Sequence, residues 1–152
     1  MSHSAYKDDM GLDERVMMAM VRAAERFRKE QSAIFKKHGL SFSQYNVLRV
    51  LDASTDGRNT IKRVNRIMLV SGANMTGITK RLEKMGCIVR TSDSDDERLK
   101  WLEITDKGRG LLCEIYNEKE KDLRRYLDGY GDEEKIEILE VLTHIVKGKR
   151  KK

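Results

Sequence analysis

Apolar residues return every third or fourth position along most of the chain, the spacing that lines one face of an α-helix. Between residues 13 and 38 that face is Val16, Met17, Met20, Ala23, Ala24, Phe27, Ile34 and Phe35, with Asp13 and Glu14 at the positive helix start. Gly39 predicts its stop. The run is longer than a small core needs, so its apolar face is predicted to pair with a second subunit. Ser41 and Gln44 then stand at capping-box spacing, opening a helix that buries Tyr45, Val47, Leu48 and Leu51. Ser54, Thr55, Asp56 and Gly57 predict a turn.

A short basic helix over residues 60–68 follows, and after Leu69 and Val70 a second helix begins. Ser71 is placed to cap it. Met75, Ile78, Leu82 and Met85 form its apolar stripe, while Ala73, Thr76, Gly77, Lys80 and Lys84 occupy the opposite face. Gly86 suits a left-handed C-terminal cap. Two amphipathic helices across a tight turn read as a helix-turn-helix whose second helix fits a DNA major groove. Period-two alternation then marks residues 87–91 and 99–104 as paired strands. The charged, turn-forming segment 92–98 between them makes a wing. Thr105 caps a further helix carrying Leu111, Leu112, Ile115, Tyr116, Leu123, Tyr126 and Leu127. Gly129 and Gly131 break it, and Asp132 opens a last helix with Ile136, Leu139, Leu142, Ile145 and Val146 on one side.

Charge sharpens this picture. The formal charge of +6 over 152 residues is unevenly placed. Residues 58–90 hold eight lysines and arginines against one acid, Glu83, whereas residues 91–140 hold nine against sixteen acids. The last twelve residues add five cations and no acid. Lys62, Arg63, Arg66, Lys80, Arg81 and Lys84 therefore belong to a focused basic patch of the kind that meets phosphates. Other function classes lose ground. The N-terminal stretch lacks the apolar centre of a secretion signal, and no apolar run approaches the ~20 residues of a membrane span. A cytoplasmic protein is expected, with Cys87 and Cys113 as reduced thiols packed as small core residues. His3, His38 and His144 share no metal-ligand spacing. No nucleophile–base pair or phosphate loop points to catalysis, and no cofactor is expected.

Several motifs in order carry a resemblance to the MarR (multiple antibiotic resistance) family of winged helix-turn-helix transcription regulators. Leu40, Ser41, Gln44, Tyr45, Val47 and Leu48 resemble the start of that family's second helix. Ser71, Thr76, Leu82, Glu83, Lys84, Gly86 and Arg90 resemble its recognition helix and first wing strand. Asp96 and Arg98, then Ile104, Thr105, Asp106, Lys107 and Gly108, resemble the wing and the following helix. The resemblance implies a mainly α fold with a small β-wing. Residues 40–110 would form the DNA-binding lobe, and residues 1–39 and 111–152 the helical dimerisation region. It implies a homodimer that binds a pseudopalindromic operator in double-stranded DNA and acts as a repressor, with an activator as the alternative, and a small aromatic effector of the kind that family members often bind. Ser71, Asn74, Thr76, Gly77 and Lys80 lie where the family meets bases and phosphates. Arg98 lies where a wing-tip arginine enters the minor groove, and Arg90 and Asp96 where that arginine and its wing are braced, with Asp96 close enough in sequence to fix the guanidinium by hydrogen bonds.

Departures from the family pattern are local. Ser92 and Ser94 replace a wing proline, Glu97 occupies a position often basic, Asn65 replaces a small alanine, and Gly77 stands where arginine is common. Two other functions stay open on these residues. A winged helix can dock a protein partner, although the lysines and arginines of residues 58–90 disfavour that. Cys87 and Cys113 could sense oxidants if either thiol were accessible and acidic. The aromatic and methionine residues of the first helix are read first as core packing, with an effector cleft as the alternative.

Overall fold

The computed structural model describes residues 10–68 and 72–148. In order the elements are α1 (Leu12–Lys37), α2 (Phe42–Asp52), a 3-10 turn (Thr55–Gly57), β1 (Arg58–Thr60), α3 (Ile61–Met68) and α4 (Gly72–Lys84). They continue with β2 (Ile88–Ser92), β3 (Lys100–Ile104), α5 (Asp106–Leu127) and α6 (Asp132–Lys147). The expected Leu69–Val70 turn, the Ser71 cap and the basic tail from residue 149 lie outside the described residues.

Helix boundaries fall where the local chemistry puts them. The Ser41 hydroxyl accepts from the Gln44 amide (3.1 Å) and the Gln44 side chain accepts from the Ser41 amide (2.8 Å), so two orphan donors of α2 are satisfied at once. α1 and α4 end alike. Gly39 and Gly86 take φ of +76° and +75°, and the amides of Leu40 and Cys87 reach back to the carbonyls of Phe35 and Leu82. Thr105 joins two helix ends, its hydroxyl accepting from the Gly108 amide at 3.2 Å and donating to the Gly86 carbonyl at 2.6 Å. Gly108 is required there, since a Cβ would lie 2.4 Å from the Cys87 carbonyl oxygen.

The sheet has three antiparallel strands in the order β1-β3-β2, with Thr60 and Thr91 flanking Trp101. The sequence pattern predicted only the β2–β3 pair. β1 is three residues long, too short to show alternation, and the turn before it holds Asp56 at φ 56° and Gly57 at φ 67°. One face of the sheet buries Ile88, Leu102 and Ile104 against Leu48, Leu51, Val64 and Leu82. Phe35 of α1 stacks on Tyr45 of α2 with ring centroids 3.9 Å apart, and Ile115 of α5 completes that core.

α1 plays two parts. Its second half packs into the lobe through the buried Gln31, Ile34 and Phe35, while Leu12, Val16, Met17 and Val21 of its first half are exposed. No residue of α6 is buried, and Ile136, Leu139, Val141, Leu142, Ile145 and Val146 all face outward. On α5, Leu112 and Ile115 point inward, whereas Tyr116 and Leu127 are exposed. A polar staple joins α1 to α5. The Gln31 amide donates to the Asp122 carboxylate at 2.6 Å, Arg125 pairs with the same carboxylate, and the Tyr126 hydroxyl donates to Glu30. No described helix is long and apolar enough to cross a membrane.

Candidate nucleic-acid interface

α4 is amphipathic in the sense the sequence predicts. Met75 and Leu82 are buried, as is Thr79 between them, and they seat the helix on α2 and β2. Asn74, Thr76, Gly77, Lys80, Arg81 and Lys84 are exposed. The i,i+4 steps from Thr76 to Lys80 to Lys84, and from Gly77 to Arg81, put these groups on neighbouring turns of one outer surface. The position of a Cβ on Gly77 meets nothing within 4 Å, so the helix backbone is open to close approach there. α3 buries Val64 and exposes Lys62, Arg63 and Arg66. Its first turn is capped by Thr60, whose hydroxyl accepts from the Arg63 amide at 3.2 Å.

Arg90 reaches α4 directly. Its guanidinium donates to the Thr79 hydroxyl at 2.7 Å, and that hydroxyl donates to the Thr76 carbonyl at 3.2 Å. The sheet is thus locked to α4 from its inner face. Thr79 was not singled out in the sequence, although a hydroxyl between Met75 and Leu82 on the apolar stripe is the signal that could have found it. Buried polar atoms at this junction are not all satisfied. Arg90 Nε and Asn65 Oδ1 find no hydrogen-bond partner among the described residues.

The wing is organised by its own carboxylates. Asp93 accepts from the Asp95 amide (2.9 Å) through one oxygen and from the Trp101 indole (3.1 Å) through the other. Asp96 accepts from the backbone amide of Arg98 at 3.0 Å, which shapes the turn without touching the guanidinium. The Arg98 side chain is exposed and its guanidinium has no partner among the described residues. The Arg58 guanidinium lies over the Trp101 ring at 4.4 Å from its centroid. The Asp95 amide, the Trp101 indole and the nearby Arg58 hold the Asp93 carboxyl below its usual range. Neither Arg58 nor Trp101 was singled out in the sequence. Trp101 is the only tryptophan of the chain and stands on a strand position facing away from the core.

The cysteines divide. Cys87 is fully buried, and burial raises its thiol above the ordinary range despite the opposing pull of Lys107. Cys113 corrects the expectation of two core residues, because it is exposed on α5. Each helical residue advances by about 100°, so a face that buries Leu112 and Ile115 turns the residue between them outward. A cleft of about 560 Å³ lies between α1, α2 and α4, lined by Lys36, Leu40, Phe42, Arg81, Lys84 and Met85 among others. Aromatic and aliphatic walls with cationic side chains suit an organic anion.

A helix pair with a cationic second member, followed by a strand–loop–strand wing locked onto it, defines a winged helix-turn-helix. The chain matches the profile of the MarR family over residues 38–99. The HTH-type transcriptional regulator TtmR of Methylorubrum extorquens (strain PA1) is 36% identical over 111 residues, covering 73% of this chain and 56% of its own length. The chain therefore spans little more than half of that relative. The uncharacterized HTH-type transcriptional regulator YkoM of Bacillus subtilis (strain 168) is 32% identical over 108 residues, 70% of this chain and 68% of its own. Among solved structures, Sco3205 of Streptomyces coelicolor, a MarR family transcriptional regulator crystallised in complex with DNA, superposes with a TM-score of 0.83. That match covers 95% of this chain and 92% of the other, and at 18% identity it speaks to the fold alone. The chain belongs to the MarR family.

Proposed function

We propose that this protein regulates transcription by binding a pseudopalindromic operator in double-stranded DNA as a homodimer. The observation that carries this reading is the outer surface of α4, where Asn74, Thr76, Lys80, Arg81 and Lys84 are exposed with Gly77 bare among them. Short polar groups at the start of a helix reach base edges, and lysines and arginines further along reach phosphates. Lys62 and Arg63 of α3 add phosphate contacts, and Arg98 leads the wing toward the minor groove. Ser71, at the N-terminal side of α4, belongs to the same set by its place in the sequence.

The dimer is supported by the apolar faces left bare on the first half of α1 and on α6. Two such stripes in one chain need a cover, and a second copy supplies both at once. In this arrangement residues 1–39 and 111–152 build the dimerisation region and residues 40–110 the DNA-binding lobe. Binding over a promoter makes the protein a repressor in the cytoplasm. The cleft beside Lys36, Arg81 and Lys84 is the place for a small aromatic acid, whose carboxylate would compete for two cations of α4 and loosen the DNA contact.

Selection of bound duplexes from a random pool tests the reading. The expected product is an inverted repeat whose two halves are one helical turn apart or close to it, with enrichment lost when a phenolic acid occupies the cleft. Recovery of no duplex above background would overturn DNA binding, and recovery of single half-sites would overturn the dimer.

A further inference from the structure

The wing poses an electrostatic problem. Asp93, Asp95, Asp96 and Glu97 precede Arg98 in a segment that must approach a polyanion. Two of these carboxylates are turned back on the protein. Asp96 is spent on the Arg98 amide, and Asp93 is held by the Asp95 amide and the Trp101 indole. The second arrangement reaches across the whole sheet. Trp101 sits on β3, its indole nitrogen donates to Asp93 just past β2, and its ring face carries the Arg58 guanidinium of β1. Strand register puts this together. Arg58 stands opposite Glu103, two residues from Trp101 on the same face, so its side chain reaches the ring diagonally. An indole is the best ring for a guanidinium to stack on, and the stacked cation also offsets the Asp93 charge. The Asp93 amide donates to the Leu99 carbonyl and the Leu99 amide to the Asp96 carbonyl, so the loop that Asp93 anchors is the loop that ends in Arg98.

We infer that Arg58, Trp101 and Asp93 act together as positioning residues that fix the wing so that Arg98, rather than a carboxylate, meets the DNA. This rests on the DNA-binding reading above. Arg90 on the inner face of the sheet locks the wing's base to α4, and the outer-face brace fixes where the loop points. Without it Asp93 is free to swing outward, Arg98 loses a defined direction, and the wing presents repulsion in place of attraction. None of the three needs to touch DNA for this effect.

The test uses the full-length protein and a duplex recovered with the wild type. Trp101→Phe keeps a ring for Arg58 and removes the indole donor; Asp93→Ala removes both acceptor oxygens; Asp93→Asn keeps one of the two as a partial rescue. Each is measured alone and combined with Arg98→Ala. Losing a hydrogen bond to a charged group should lower affinity by about tenfold for Trp101→Phe and Asp93→Ala, with Asp93→Asn recovering only part of it, because its one oxygen can accept from one of the two donors. In the Arg98→Ala background Asp93→Ala should have no further effect, and Trp101→Phe should cost clearly less than its tenfold, since only repulsion by the freed Asp93 carboxylate remains. Equal losses in both backgrounds would show plain structural support and overturn the inference, as would full affinity in Trp101→Phe or in Arg98→Ala itself. If the wild type recovers no duplex, the DNA-binding reading falls first and the brace with it, an outcome distinct from a wild type that binds and variants that bind equally. Because Trp101 is the sole tryptophan, Arg58→Ala should also raise acrylamide quenching of its fluorescence in the free protein. Unchanged quenching would overturn the stacking.

Discussion

Asp122 is nearly buried between α1 and α5, accepting from the Gln31 amide at 2.6 Å while Gln31 itself is 1% exposed. Asp122→Ala removes the acceptor and strands a buried donor. Leaving such a group unsatisfied costs about 1–3 kcal/mol, and deleting the carboxylate also leaves a small void beside Ile34. The exposed Arg125, the other partner of Asp122, adds little, because solvent screens its charge. A destabilisation of about 2–3 kcal/mol is expected, and for a chain of this size that lowers Tm by roughly 4–12 °C. Chemical or thermal melting, read by circular dichroism at one fixed protomer concentration, measures it. The informative control replaces both partners. Gln31→Leu with Asp122→Leu removes donor and acceptor together, and a well-packed apolar pair should recover most of the loss. If Asp122→Ala shifts stability by less than ~0.5 kcal/mol, the typical scatter of surface substitutions, the staple does not hold α1 to α5. If the double variant is as damaged as Asp122→Ala alone, packing rather than the orphaned amide sets the cost.

Four further outcomes are expected. Sedimentation at micromolar concentration should give roughly twice 17.6 kDa, and Leu139→Glu on the bare face of α6 should shift the protein toward monomer; an unchanged mass would remove α6 from the interface. With about six to ten phosphates neutralised by two lobes, log affinity should fall against log salt with a slope of about −6 to −9, and a flat response would favour protein docking. Arg98→Ala should weaken operator binding while leaving the selected core motif intact, whereas Lys80→Ala should change base preference at a cost of ~1–3 kcal/mol per lost contact; a changed motif in Arg98→Ala would assign base reading to the wing. A Cys87→Ser, Cys113→Ser double variant should bind DNA as the wild type does, and release of the wild type by peroxide that this variant abolishes would make a thiol the sensor.

Periodicity determined most of the fold by itself. The α-helical spacing of apolar residues placed α1, α2, α4, α5 and α6 within a residue or two of their observed ends. The stops and starts were legible because they are local chemistry: the Ser41–Gln44 box, the left-handed Gly39 and Gly86, and the Thr105 cap each need only their near neighbours. The exposed cations of α3 and α4 were legible for the same reason, since an amphipathic helix with its apolar stripe buried must turn its other face out.

What needed the tertiary structure were contacts between residues far apart in sequence, or elements too short to carry a period. β1 exists because β3 offers it an edge, and three residues cannot show alternation. Arg90 was read as a brace of the wing, and only the fold names its partner, Thr79 of α4, because the register of β2 turns it to the inner face of the sheet. Asp96 lies two positions from Arg98 and was expected to hold its guanidinium; the tight turn brings the backbone amide to it instead. Cys113 was read as buried from its neighbour Leu112, and the direction in which α5 faces the core decided otherwise. The stack of Arg58 on Trp101 and the Gln31–Asp122 staple each join residues more than forty positions apart. Only the folded chain sets such partners side by side, because pairing at that range depends on how the sheet and helices pack and not on any spacing along the sequence.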